Sequence, residues 1–183
     1  MFTTNIPNFE EKKGVIYDAD GTLFKSINVK KSLFLAGNLL RAKLGLLPYK
    51  QDADKVLLAL KQRGIQLGLA TDMSDGMLQW FRDSKILTPS LDSTFETIVN
   101  GSMVQNKKPD PEALYVAMDK MKLHPQECIA IGDSLKDIIP AVSIPRLTTC
   151  VIYDRSSEKD LKELTKLTPY HFNNWGEVLN GLN

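Results

Sequence analysis

Three times in this chain a short apolar run stops at a polar turn: Val15-Ile16-Tyr17 at Asp18-Ala19-Asp20-Gly21-Thr22, Ile65–Ala70 at Thr71-Asp72, and Cys128–Ile131 at Gly132-Asp133-Ser134. The intervening segments have helical periodicity. Asp54–Arg63 puts Val56, Leu57 and Leu60 on one face and stops at Gly64. A segment opened by Asp110-Pro111 carries Ala113, Leu114, Ala117, Met118 and Met121 at helical spacing. Such alternation predicts a parallel sheet covered by helices on both faces. Ligands of open α/β sheets gather outside the carboxyl ends of the strands, where these three polar turns fall.

The rest of the chain continues the rhythm. Gly76–Ser84 reads as a helix whose Trp80 and Phe81 pack in the core, and Phe95–Val99 as a strand closed by Asn100-Gly101. Thr148–Tyr153 is the next strand, after a short helix that Pro140 is expected to bend or end. Ser157–Leu167 reads as a helix, Tyr170–Phe172 as a short edge strand and Trp175–Leu182 as a terminal helix.

Side chains at i and i+2 of an extended chain point the same way, so Asp18 and Asp20 are expected to face one pocket. Two neighbouring carboxylates require a cation, a proton or strong donors to offset repulsion and desolvation. Each partner residue also has an ordinary structural use. Thr71 can begin a helix, Lys108 can sit in an exposed loop, and Ser134…Asp137 fits a capping box. Their joint occurrence with the strand-end acids favours a site over three separate structural roles.

The combination of Asp18-Ala19-Asp20-Gly21-Thr22, a strand-end Thr71, Lys108-Pro109 and Gly132-Asp133-Ser134-Leu135-Lys136-Asp137 resembles the motif set of the haloacid dehalogenase (HAD) superfamily of phosphotransferases, over Gly14 to about Asp137. The resemblance implies an α/β fold of HAD type: a Rossmann-like parallel sheet sandwiched by helices, with the Asp18 strand central and the Thr71 and Asp133 strands beside it. It implies Asp18 as nucleophile, Asp20 as general acid/base, and Thr71 and Lys108 as phosphate-binding residues. It implies Mg²⁺ resting on the Asp18 carboxylate, the Asp20 backbone carbonyl and Asp133, with Asp137 close by or acting through water. The expected activity is Mg²⁺-dependent hydrolysis of phosphate monoesters, small or macromolecular, through an aspartyl-phosphate. The physical logic agrees, because phosphoryl transfer gains mainly from positioning and from charge stabilisation on the equatorial oxygens.

Within that superfamily an acid at position 20 separates phosphatases and phosphomutases from dehalogenases and phosphonatases. A phosphomutase needs a substantial cap to exclude water. Here 52 residues separate Asp18 from Thr71 and 36 separate Thr71 from Lys108, leaving only residues 24–51 as a minimal helical insert in place of a cap. That insert is a lid, an interface for a homo-oligomer, or a helix covering the core. A non-catalytic HAD-fold scaffold, binding a protein through Phe24–Leu47, is the alternative from another class. A receiver-like signalling domain orders its aspartates, Thr and Lys differently along the chain. Two positions depart from the family pattern: Asp72 follows Thr71 where a neutral residue is frequent, and Ile144-Pro145 stands where Ala-Gly is common.

A chain of 183 residues suits a single catalytic domain over residues 1–183. Its net charge of +1 gives no electrostatic case for nucleic-acid or membrane partners. No apolar run is long enough to span a bilayer and Met1–Glu10 lacks a signal-peptide pattern. Cys128 and Cys150 fall in expected interior strands, so free thiols and a cytoplasmic location are expected.

Overall fold

A computed structural model describes residues 4–24, 49–84, 87, 89–153 and 158–182. Among the described residues six strands form one parallel sheet: β1 (Gly14–Tyr17), β2 (Gln66–Ala70), β3 (Thr97–Val99), β4 (Cys128–Gly132), β5 (Thr148–Ile152) and β6 (Tyr170–Phe172). Their spatial order is β3-β2-β1-β4-β5-β6, with Val15 level with Leu67 on one side and Ile129 on the other. The order reverses between β1 and β4, which is where doubly wound sheets bind ligands. The Asp18 strand is central, flanked by those leading to Thr71 and Asp133. Asn5 pairs with His171 at the β6 edge.

Helices α1 (Ala53–Gln62), α2 (Asp75–Ser84), α3 (Leu91–Thr94), α4 (Glu112–Met121), α5 (Leu135–Ser143), α6 (Glu158–Leu167) and α7 (Trp175–Leu182) cover the sheet. Strand alternation divides the core. Val15, Tyr17, Leu67, Leu69, Ile129 and Ile131 face a cluster completed by Val56, Leu57 and Leu60 of α1, Phe81 of α2, and Trp175 of α7. Ile16, Ala70, Val99 and Ala130 face the other way, against Ala113, Leu114, Ala117 and Met118 of α4 and Ala141 of α5. Both faces are therefore buried, which accounts for the near-continuous apolar strands.

The turn chemistry follows the sequence closely. α1 ends in a Schellman arrangement: Gly64 has φ +77°, its N–H reaches the Lys61 carbonyl, and the Ile65 N–H reaches Leu60. The Asp110 carboxylate accepts from the Glu112 N–H at 2.9 Å and so caps the start of α4. Three details differ from expectation. The third strand begins at Thr97, because Ser90 starts the short helix α3 by accepting from the Ser93 N–H, and Phe95 closes it. Pro140 does not end its helix, which continues to Ser143. After α5 the Ile144–Leu147 turn closes with Arg146 at φ +69°, the left-handed role that a glycine would otherwise take.

Cys128 and Cys150 are buried free thiols. Ile131 lies opposite Cys150, which puts Cys128 three positions further back along β4 and on the opposite face of the sheet. The residues 25–48, which hold most of the insert at 24–51, lie outside the described residues. No helix among the described residues is long and apolar enough to cross a membrane.

Candidate active site

The sheet ladder extends one residue past β1: the Asp18 N–H donates to the Ile131 carbonyl at 3.0 Å. The chain then folds back tightly, with the N–H groups of Leu23 and Phe24 both reaching the Ala19 carbonyl. Gly21 makes this possible with φ +87°, and a Cβ there would stand 2.4 Å from an Asp133 carboxylate oxygen. Gly132 is equally constrained, since a Cβ would stand 2.3 Å from that of Asp137. Gly21 thus lets the first acidic motif approach Asp133, and Gly132 leaves room for Asp137 beside the end of β4.

At the centre, Lys108 Nζ donates to Asp18 Oδ1 at 2.6 Å and to Asp137 Oδ1 at 2.7 Å. All three side chains are almost wholly buried. The other oxygen of Asp137 accepts from the Ser134 hydroxyl and from its N–H at 3.2 Å, so Asp137 serves both the helix start and the site. Thr22, fully buried, donates its hydroxyl to Asp133 Oδ1 at 2.8 Å and stands 3.4 Å from Asp18. The Thr22 carbonyl accepts from the Trp175 indole N–H at 3.1 Å, tying the loop to α7.

Carboxylate oxygens of Asp18, Asp133 and Asp137 lie within 4.8 Å of one another. Burial pushes the Asp18 carboxyl up to about 7, with Asp137 and Asp133 adding to the rise and Lys108 opposing it. Asp133 is raised for the same first reason, while Thr22 and the charge of buried Lys50 pull against the shift. Burial works against the Lys108 ammonium, but the carboxylates of Asp18 and Asp137 outweigh it and hold the pKa above its usual value. The three acids, with the Lys108 and Lys50 ammonium groups about them, form an all-oxygen set of the kind that suits a hard divalent cation. Asp20 contributes no carboxylate to this trio.

Asp18, Asp20, Thr71, Asp72, Met73, Lys108, Ser134, Lys136 and Asp137 line one pocket of about 330 Å³. Asp20 is solvent-exposed at its edge. Thr71 is buried, and its oxygen accepts from the Met73 N–H at 3.2 Å, which leaves its proton to be donated elsewhere. Asp72 is exposed, with one oxygen 3.5 Å from the Lys108 N–H; among the described residues it forms no ion pair with Lys107.

The model of the haloacid dehalogenase-like hydrolase family matches residues 38–145. The chain belongs to that family. This HAD protein is 34% identical over 91 residues to a phosphoglycolate phosphatase of Colwellia psychrerythraea, covering 49% of this chain and 38% of that one. It is 34% identical over 111 residues to a glyceraldehyde 3-phosphate phosphatase of Pyrococcus furiosus, covering 60% and 45%. The HAD chain thus spans less than half the length of these relatives. Its fold matches a HAD-superfamily hydrolase of Ehrlichia chaffeensis with a TM-score of 0.68 at 19% identity, covering 93% of this chain and 96% of that one. It also matches a β-phosphoglucomutase of Clostridium difficile with a TM-score of 0.67 at 15% identity, covering 93% and 96%. Asp18 and Asp20 precede the segment matched by the family model, so their place in the site rests on geometry.

The residues singled out from sequence, Asp18, Asp20, Thr71, Lys108, Asp133 and Asp137, all gather at the carboxyl ends of β1, β2 and β4. Sequence reasoning gave no role to Thr22 or Lys50. Thr22 stands within the first motif and could have been suspected as a donor. Lys50 carries no local signal, because its charge acts on Asp133 from the C-terminal end of the insert, far along the chain.

Proposed function

We propose that this HAD protein hydrolyses phosphate monoesters with Asp18 as nucleophile. The observation that carries the reading is the buried Asp18–Lys108–Asp137 arrangement at the sheet's switch point, with Thr71 and Asp20 lining the same pocket. A carboxylate oxygen of Asp18 attacks phosphorus, the bond from phosphorus to the ester oxygen breaks, and Asp20 gives its proton to the departing alkoxide. Water then attacks the aspartyl-phosphate, Asp20 takes its proton, and phosphate leaves with Asp18 regenerated. Lys108 supplies a point charge and Thr71 a hydroxyl donor to the transferring oxygens.

Asp18, Asp133 and Asp137 would hold Mg²⁺, with the Asp20 carbonyl as a further oxygen; when bound, the ion supplies Lewis-acid charge for the phosphoryl oxygens. The same carboxylates need a cation for a second reason, since a nucleophilic Asp18 must be ionised at neutral pH although its surroundings raise its pKa. Relatives named for phosphoglycolate and glyceraldehyde 3-phosphate act on small esters, and a pocket of about 330 Å³ suits substrates of that size. Buried free thiols fit a reducing compartment, the cytoplasm.

Phosphate release from a panel of monoesters, with and without Mg²⁺, tests the proposal. Turnover is expected only with Mg²⁺, and Asp18→Asn is expected to abolish it while leaving the circular dichroism spectrum unchanged. Folded, Mg²⁺-binding protein that turns over no ester would instead favour a non-catalytic scaffold. Wild-type rates in Asp18→Asn would overturn the nucleophile.

A further inference from the structure

The two rims of the pocket differ in charge. Asp72 follows β2 and Lys136 follows β4, with β1 and its Asp18 between them. Neighbouring strands lie about 4.8 Å apart, so β2 and β4, which lead to the two rims, are separated by roughly 10 Å, with the Asp18 strand midway. The other charges of the pocket are already occupied. The Lys108 ammonium is held by Asp18 and Asp137, and the Asp72 carboxylate is turned toward the Lys108 backbone. Lys136 is different. It is exposed, and among the described residues it forms no ion pair. Helix stability gives no reason for it either. It occupies the first turn of α5, where the helix dipole favours acids and disfavours cations.

We propose that Lys136 forms a second anion subsite, so that the preferred substrates of this chain are phosphate monoesters bearing a further anionic group, a carboxylate or a second phosphate. The inference rests on the hydrolase reading above. With the transferring phosphoryl group at Asp18, Thr71 and Lys108, the leaving portion extends toward the mouth. An anionic end is drawn to the β4 side by Lys136 and repelled from the β2 side by Asp72, which fixes its direction as well as its binding. A neutral end has neither interaction. As a compact point charge on a flexible stem, lysine accepts either kind of anion.

The test compares kcat/KM of the full chain, with Mg²⁺ and at low ionic strength, for three esters: 2-carboxyethyl phosphate, propane-1,3-diyl bisphosphate and neutral 3-hydroxypropyl phosphate. Both anionic esters are expected to exceed the neutral one by about five- to tenfold, a preference that added salt reduces by screening. Lys136→Gln is expected to bring the ratio to within twofold of unity, mainly through KM, and Lys136→Arg to keep most of it. A preference for one anionic ester alone would support the subsite and identify carboxylate or phosphate as its ligand. Turnover without charge preference, or a preference that survives Lys136→Gln, would overturn the subsite and leave the hydrolase reading standing. Failure to turn over these esters and p-nitrophenyl phosphate alike would remove the hydrolase reading, and the subsite with it.

Discussion

Replacing Lys108 by methionine removes the cation that two buried carboxylates share while keeping the length of the stem. Lys108 keeps 6% of its side-chain surface exposed, and Asp18 and Asp137 each keep 10%. Deleting one partner of a buried pair costs about 3–5 kcal/mol, because the other charge is left stranded. The lower end, about 3 kcal/mol, applies here, since the residual exposure and protonation of a carboxyl both relieve the stranded charge. With a urea dependence of about 2 kcal/mol per molar, the unfolding midpoint should fall by about 1.5 M at pH 7.5 without divalent cations.

The pH dependence of that loss has a definite sign. Lys108 has a folded pKa above its unfolded 10.5, so its contribution is complete below that value and disappears only in strong alkali. Asp18 has a folded carboxyl raised to about 7 from 3.8, so the metal-free protein loses stability as pH climbs from about 4 to 7. Without Lys108 that decline steepens, and the difference between the two proteins should be small at pH 4 and largest above pH 7. Urea titrations at pH 4 and 7.5 measure it. A loss below about 1 kcal/mol at pH 7.5, or one of equal size at pH 4, would refute the idea that Lys108 compensates ionised acids.

Thr22→Val keeps the shape of the side chain but removes the donor to Asp133. It should cost about 1–2 kcal/mol of stability and weaken Mg²⁺ binding by roughly tenfold, as read by urea unfolding and by calorimetric titration; unchanged affinity would show that the bond does not orient Asp133. Asp20→Asn should slow hydrolysis of alkyl phosphates far more than that of p-nitrophenyl phosphate, because a good leaving group needs little proton donation. Equal losses on both esters would argue against Asp20 as the acid.

What could be read from the sequence was what is written locally. The apolar strands, the Gly64 stop and the acids at strand ends each leave a mark within a few residues, and each element stands close to its expected place. The family resemblance added the strand order. Two kinds of feature were hidden. Short elements decided by a single competing hydrogen bond, such as α3 in front of β3, lie below the resolution of periodicity. Contacts made across the chain have no local signature: the charge of Lys50, at the end of the insert, acts on Asp133, and Trp175 reaches Thr22 from 153 positions away. Pro140 illustrates a third case, in which burial against the sheet keeps a helix going through a residue that would interrupt it in isolation.

The bond from Trp175 to the Thr22 carbonyl sets an order of events at the ribosome. The Asp18 loop is made before the helix that backs it, because Trp175 stands 153 positions after Thr22. Until then the first acidic motif has its glycine turn but neither its indole support nor, before residue 133, its partner acid. The acidic cluster of Asp18, Asp133 and Asp137 is therefore made well before the backing of the loop that carries Asp18. The nascent chain holds the Asp18 carboxylate in an unfinished setting until α7 has emerged.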